Sequence, residues 1–319
     1  TTSEAGPFRK ASTMPDLSEH DKDLFGRLKT LRLALAKERN VPAYVIFPDK
    51  TLAEIAQTRP TTMEELIALS DQIVADGETP WCIGLGSGGA TGWPATDWVE
   101  DIMLRTQAPD VYDQWVANSM PFDAPEVVNA IETFGLFALN EDYNNGGVAA
   151  VAATDFRDSP AGMFTFPPEC YMHRQASFIP TFFPEDADSD FFYFPAFESE
   201  DLGSPVLGAG TLFGITSDSE AAQAFMAFLQ TEISHEVWMA QSGFLTPHQG
   251  VNTDLFASDT LRQMNDILLN ATTFRFDASD LMPSEIGQGI FWSGMVDFVG
   301  GEDAASVAGR IQDRWEEIQ

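Results

Sequence analysis

Residues 84–98 read Gly84-Leu85-Gly86-Ser87-Gly88-Gly89-Ala90-Thr91-Gly92-Trp93-Pro94-Ala95-Thr96-Asp97-Trp98. Gly84, Gly86 and Gly89 fit the GxGxxG fingerprint, and the apolar Trp81-Cys82-Ile83 before them suits a strand. In a dinucleotide site those glycines admit a pyrophosphate and a helix opens directly behind them. Gly92 interrupts that helix and Pro94 follows it, so a nucleotide role is set aside. What remains is a sharply bending loop that can present Trp93 and Trp98. The chain has no GxxxxGK[ST], HExxH or GxSxG, which removes a helicase motor and the usual hydrolase signatures. Its 49 acidic residues guarantee chance carboxylate pairs, so no glycosidase pair can be chosen.

Charge divides the chain on either side of residue 70. All five lysines lie in the first 50 residues, and residues 1–69 balance ten basic against ten acidic side chains. Residues 70–319 carry 39 acidic residues against seven arginines and account for the whole net charge of −32. That acidic part still folds: 25 phenylalanines, seven tryptophans and 44% hydrophobic content are unlike an acidic disordered tract. Its negative surface would repel a phosphate backbone, which leaves nucleic acid as a partner only for residues 18–69. Neutral solutes or proteins suit the rest. There is no uninterrupted apolar run of about 18 residues, and Thr1-Thr2-Ser3-Glu4-Ala5-Gly6-Pro7 lacks the pattern of a signal peptide.

Residues 1–17 read as a tail. Ser18-Glu19-His20-Asp21 is a capping motif, and Leu24, Leu28, Leu31 and Leu35 then follow at helical spacing, with basic residues mostly on other faces. Val41-Pro42-Ala43-Tyr44-Val45-Ile46-Phe47-Pro48 is bracketed by prolines and suits an extended connector. A second helix is expected from Thr51. A third opens at Thr61 or Thr62 with Glu64 and Glu65 in its first turn, and its stripe of Leu66, Leu69 and Ile73 runs on toward Gly77.

These segments, from Leu24-Phe25 through Arg59-Pro60-Thr61-Thr62-x-Glu64-Glu65-Leu66, resemble the HRDC domain of RecQ-type helicases, an accessory nucleic-acid or protein contact. The likeness covers residues 18–69 and stops before that family's last helices. From Pro60 onward a second one takes over. Thr79-Pro80-Trp81-Cys82-Ile83-Gly84, Gly92-Trp93-Pro94-Ala95-Thr96-Asp97-Trp98, Met172-His173-Arg174-Gln175-Ala176-Ser177-Phe178-Ile179, Gln241-Ser242-Gly243-Phe244-Leu245-Thr246-Pro247-His248 and Gly289-Ile290-Phe291-Trp292-Ser293-Gly294 are similar to extracellular solute-binding proteins of carbohydrate ABC transporters, in particular the alpha-glucoside type. The expected architecture is therefore α/β, a type II periplasmic-binding-protein-like region over residues 70–319. It lacks the opening part of its family's pattern, stands behind a small HRDC-like helical segment, and is joined to it across the helix that starts at Pro60.

The resemblance implies a binding protein rather than an enzyme. It implies a saccharide ligand, a membrane permease as partner and an extracellular or periplasmic location, with no cofactor and no metal. An HRDC-like segment alone would point to the cytoplasm. Sugars are held by flat apolar faces together with planar polar groups. The loop Gly88–Trp93 corresponds to a ligand-contacting loop, which makes Thr91, Trp93, Asp97 and Trp98 candidates, although core packing is the stronger reading for both tryptophans. Trp292 corresponds to a sugar-stacking position in maltose-binding-like proteins. His173 and Arg174 either orient vicinal hydroxyls or form a structural pair. Asp277 and Asp280 resemble a hydrogen-bonding or capping cluster. Cys82 and Cys170, the only cysteines, suggest one disulfide in an exported protein; two free thiols are the alternative.

Overall fold

The computed structural model describes residues 19–39, 41–43, 59–185, 187, 189–241 and 244–319. It divides into two compact units, Thr1–Pro60 and Thr61–Gln319. Within the first, helix α1 spans Glu19–Glu38, starting directly after the expected cap. Its stripe is not a buried one. Arg32 and Ala36 are buried, Leu28 and Leu35 are half-buried, and Leu31 is exposed. The connector over 44–48 and the second helix expected from Thr51 lie outside the described residues, as does the tail.

The second unit opens with α2, Met63–Ala75, capped as its sequence requires. Thr62 Oγ1 accepts the Glu65 N–H at 3.2 Å, and the Glu65 carboxylate reaches back to the N–H and hydroxyl of Thr61, both at 2.8 Å. Those bonds hold the Glu65 carboxyl below its ordinary pKa. Met63 and Leu66, expected with the helical segment, are fully buried in the core of this second unit. Ser70 accepts the indole N–H of Trp81 at 2.9 Å, which ties α2 to the glycine-rich stretch.

That stretch is extended but forms no continuous strand. Trp81 bridges to Asn144 and Met172, and Gly86 bridges to Asp155. Behind it run α3 (Trp93–Thr106), α4 (Pro109–Val116), α5 (Pro125–Ala138) and α6 (Val148–Ala153). Helix α3 is buried along almost its whole length because it packs against α5 on one side and against later elements on others. Trp98, Ile102, Phe134 and Phe137 fill the space between α3 and α5.

Strand β1 (Pro205–Gly208) pairs in parallel with β2 (Thr273–Phe276), with Pro205 opposite Thr273. The crossover between them contains α7 (Glu220–Leu229), α8 (Glu232–Met239) and α9 (Asp259–Leu269), plus a small core of Met239, Val251, Phe256 and Leu261. After β2 come the short α10 (Ala278–Leu281), a π-helical turn over Glu285–Phe291, α11 (Trp292–Val299) and α12 (Ala304–Ile318). Helices α11 and α12 return to the main core, where Phe291, Met295, Val307, Ile311 and Trp315 are buried.

Candidate functional site

The glycines of the opening stretch serve the chain's own backbone. A Cβ on Gly84 would stand 2.8 Å from the Thr154 carbonyl, and one on Gly86 would stand 2.9 Å from the same atom. The close approach makes hydrogen bonds possible: Gly86 N–H donates to Thr154 O at 2.9 Å, and Phe156 N–H donates to Gly86 O at 2.8 Å. Residues 84–86 and 154–156 are thus welded together. The loop then turns through Gly88, and Thr91 locks it by accepting the Ser87 N–H at 3.0 Å while donating to Gly88 O at 2.8 Å. Gly92 caps α3 at φ +111°, a conformation open to glycine. Its α-carbon faces the Trp292 backbone so closely that any Cβ would collide with the Trp292 carbonyl.

This geometry brings Thr91, Trp93 and Trp292 to one place. Trp93, half-buried at the start of α3, meets Phe156 edge-on at 5.0 Å and Phe178 at 6.1 Å. Phe182 extends the cluster 5.7 Å from Phe156 and stays largely exposed. Four aromatic rings thereby form a partly open shelf. At its edge Arg157 lies 5.2 Å over the Phe156 ring and grips Asp155 with two bonds of 2.7 Å. That fork pulls the Asp155 carboxyl down to about 2, so the pair stays charged near neutrality. Trp292 begins α11 directly behind the π-helical turn, and its indole N–H is buried without a protein acceptor.

The other candidates lie beneath the shelf. Trp98 is 2% exposed and is surrounded by Trp81, Phe134, Phe137 and Phe194, so the ring serves the core and offers no face to a solute. Arg174 donates to Asp101 Oδ2 at 2.8 Å and to the Asp97 carbonyl at 2.9 Å, with its guanidinium 5.6 Å from both Trp98 and Phe194. Asp101 also pairs with Arg105, which is sandwiched against Tyr193 and Phe194. These charges are buried and survive there because each is paired and hydrogen-bonded. His173 lies next to them. Its Nδ1–H donates to Cys82 O at 2.6 Å, its Nε2 has no partner, and burial lowers its pKa to about 4. Of the two readings for His173 and Arg174, the contacts favour the structural one. Cys82 and Cys170 are joined in a disulfide with Cα atoms 5.6 Å apart.

Asp97, Glu100 and Asp277 bring carboxylate oxygens within 4.8 Å of one another. Glu100, fully buried, accepts the N–H groups of Ala278 and Ser279, each at 3.0 Å, and so receives the start of α10. Burial first, then the neighbouring negative charges, push the Asp97 and Glu100 carboxyls well above their ordinary range. Asp277 caps the same turn by accepting the Asp280 N–H at 3.0 Å. Phe156, Phe178, Phe182, Arg157, Glu100 and Asp101 had no periodic or motif signal singling them out.

Comparisons with known proteins accord with this geometry. The HRDC domain family matches residues 21–73. The chain is 58% identical over 285 residues to the alpha-glucosides-binding periplasmic protein AglE of Rhizobium meliloti (strain 1021), covering 88% of this chain and 62% of that protein. It is 43% identical to the osmoprotective compounds-binding protein GgtB of Synechocystis sp., covering 86% and 66%. The ATP-dependent DNA helicase RecQ of Pasteurella multocida is 45% identical over 69 residues, 22% of this chain and 10% of the helicase. Among solved structures, the bacterial solute receptor AcbH, described as preferring β-D-galactopyranose, superposes with a TM-score of 0.67 at 17% identity, over 84% of this chain and 68% of its own. A chitin oligosaccharide binding protein gives 0.67 at 16%, over 82% and 65%. This chain thus spans under two thirds of AglE's length, and since the AglE match leaves only 12% of the chain uncovered, it overlaps the HRDC match. Most of this chain is a homologue of the solute-binding proteins of carbohydrate ABC transporters, with an HRDC-matching stretch at its front.

Proposed function

We propose that residues 61–319 form the saccharide-binding region of a transport receptor, and that an alpha-glucoside rests against the shelf of Trp93, Phe156 and Phe178. Trp292 closes one side and Thr91 holds the loop in place. Arg157 and Asp155 supply planar polar groups at the rim, where sugar hydroxyls need them. Asp97, His173 and Arg174 act from below by fixing the start of α3. The observation that carries this reading is the contact of Gly92 with the Trp292 backbone, which unites two candidate segments two hundred residues apart in sequence. A membrane permease as partner, and a periplasmic or extracellular location, follow from the AglE-type relatives. The disulfide accords with an oxidising compartment. Among the described residues no helix is long and apolar enough to cross a membrane.

Affinity is expected to be low. A stretch spanning 62% of AglE leaves out part of that protein's surface, and a loss of about 4 kcal/mol is about a thousandfold in Kd. The test is a tryptophan-fluorescence titration with maltose, trehalose and sucrose. A saturable change in the millimolar range, lost in Trp292→Ala and weakened in Phe156→Ala, supports the proposal. No saturable change with any of these sugars, or equal binding by the doubly substituted Trp93→Ala/Trp292→Ala protein, overturns it. A second reading, nucleic-acid or protein contact through residues 18–69, rests on the HRDC match alone and would appear as salt-dependent DNA binding.

A further inference from the structure

The crossover between β1 and β2 carries a surface out of keeping with its place in the fold. Parallel strands are ordinarily interior strands, covered by crossover helices on both faces. Among the described residues the sheet has only these two strands, each paired on one edge. The helices that should pack on such a sheet have little to pack on. Helix α7, with the sequence Glu-Ala-Ala-Gln-Ala-Phe-Met-Ala-Phe-Leu, buries none of its residues. Phe225 and Phe228 on it are 54% and 47% exposed, and Ile233 and Val237 on the adjoining α8 are 59% and 56% exposed. Trp238 lies 5.8 Å from Phe213, and Leu212 beside it is 81% exposed. Scattered apolar residues on a surface are normal, whereas a contiguous set of this size marks an interaction site.

The comparisons say what is large enough and of the right kind to cover it. AglE, GgtB and the two superposed receptors are each about a third longer than the stretch this chain shares with them. We infer that the apolar face of α7 and α8, together with the free edges of β1 and β2, is the seat of the remaining third of the solute-binding fold. That portion would add strands to the sheet and bury Phe225, Phe228, Ile233 and Val237. The occupant is thus a polypeptide of the AglE type that brings β-strands, rather than a second copy of this chain. A second copy would bring the same acidic rim, Asp218, Glu220, Glu232 and Glu236, against itself. The inference rests on fold homology and stands whether or not the shelf around Trp93 binds a sugar.

The test co-expresses the full chain with the portion of Rhizobium meliloti AglE that lies outside the matched stretch, with no sugar present. The expected result is a one-to-one complex on size exclusion with light scattering, and at least tenfold slower amide exchange over 205–208 and 220–238. Phe225→Asp/Val237→Asp should abolish the complex while leaving the far-UV spectrum and Tm of the chain alone unchanged, since both side chains face solvent. Because the AglE portion could fail to fold by itself, a single-chain fusion of the two is measured as well. If amides of 220–229 exchange as fast in the fusion as in the chain alone, the inference is wrong. It is also wrong if the chain dimerises through this face and the AglE portion does not displace the partner copy.

Discussion

At the scale of single residues, buried polar groups do the positioning. Glu100 holds two backbone N–H groups at the entrance of α10. Glu100→Ala strands both donors and is expected to cost about 2 to 4 kcal/mol in urea unfolding. Glu100→Gln keeps one acceptor and should lose less than half as much. His173 gives a pH signature of definite sign. Its folded pKa, about 4, lies below the ordinary histidine value, so its contribution is complete above about 6.5 and is lost as pH falls toward 4. The span corresponds to roughly 3 kcal/mol. His173→Asn, whose amide can still donate to the Cys82 carbonyl, should flatten the stability profile between pH 6.5 and 4 as followed by denaturant midpoints. Asp97 and Glu100 act in the opposite sense. Their raised pKa values favour the folded state on acidification, so the histidine's slope emerges in the difference between the two proteins rather than in either curve alone.

At the scale of elements, the loop before α3 controls where Trp93 and Trp292 stand. Gly92→Ala must relieve both a positive φ and a collision with the Trp292 backbone, and should cost more than about 2 kcal/mol in thermal unfolding. Gly88→Ala, also at positive φ but with no heavy atom within 4 Å, should cost about 1 kcal/mol. Helix starts were the most legible features of the sequence, because caps are local chemistry: Thr62 and Glu65 behave as their spacing requires. The cap at Asp277 was legible for the same reason. The segment Trp81–Leu85 was read as strand-like from its apolar run, yet it makes only isolated bridges, since its partners Asn144, Asp155 and Met172 come from separate loops rather than one continuous strand. The aromatic shelf was invisible beforehand. Phe156, Phe178 and Phe182 have no period in common and meet Trp93 only through the glycine contacts of residues 84–86. Arg174 could be noticed but not assigned, because its partner Asp101 is 73 residues away.

At the scale of the whole molecule, the step in charge near residue 70 lies close to the boundary at Pro60, and α2, matched by both families, begins the acidic unit. The disulfide encloses a sequence separation of 88 residues, and chain-entropy reasoning gives it about 4 to 5 kcal/mol. Cys82→Ala/Cys170→Ala should therefore shift the urea midpoint downward by that amount, and a shift within experimental error would mean the unfolded chain gains no freedom from the opened ring. The same ring has a covalent consequence. A protease that cuts the exposed turns at 140–142 or 157–158 severs the backbone inside the loop, yet the two pieces stay tethered through sulfur. Nicked protein would run as one band on a non-reducing gel and as two after thiol treatment, so a preparation can be clipped across its binding region and still look intact.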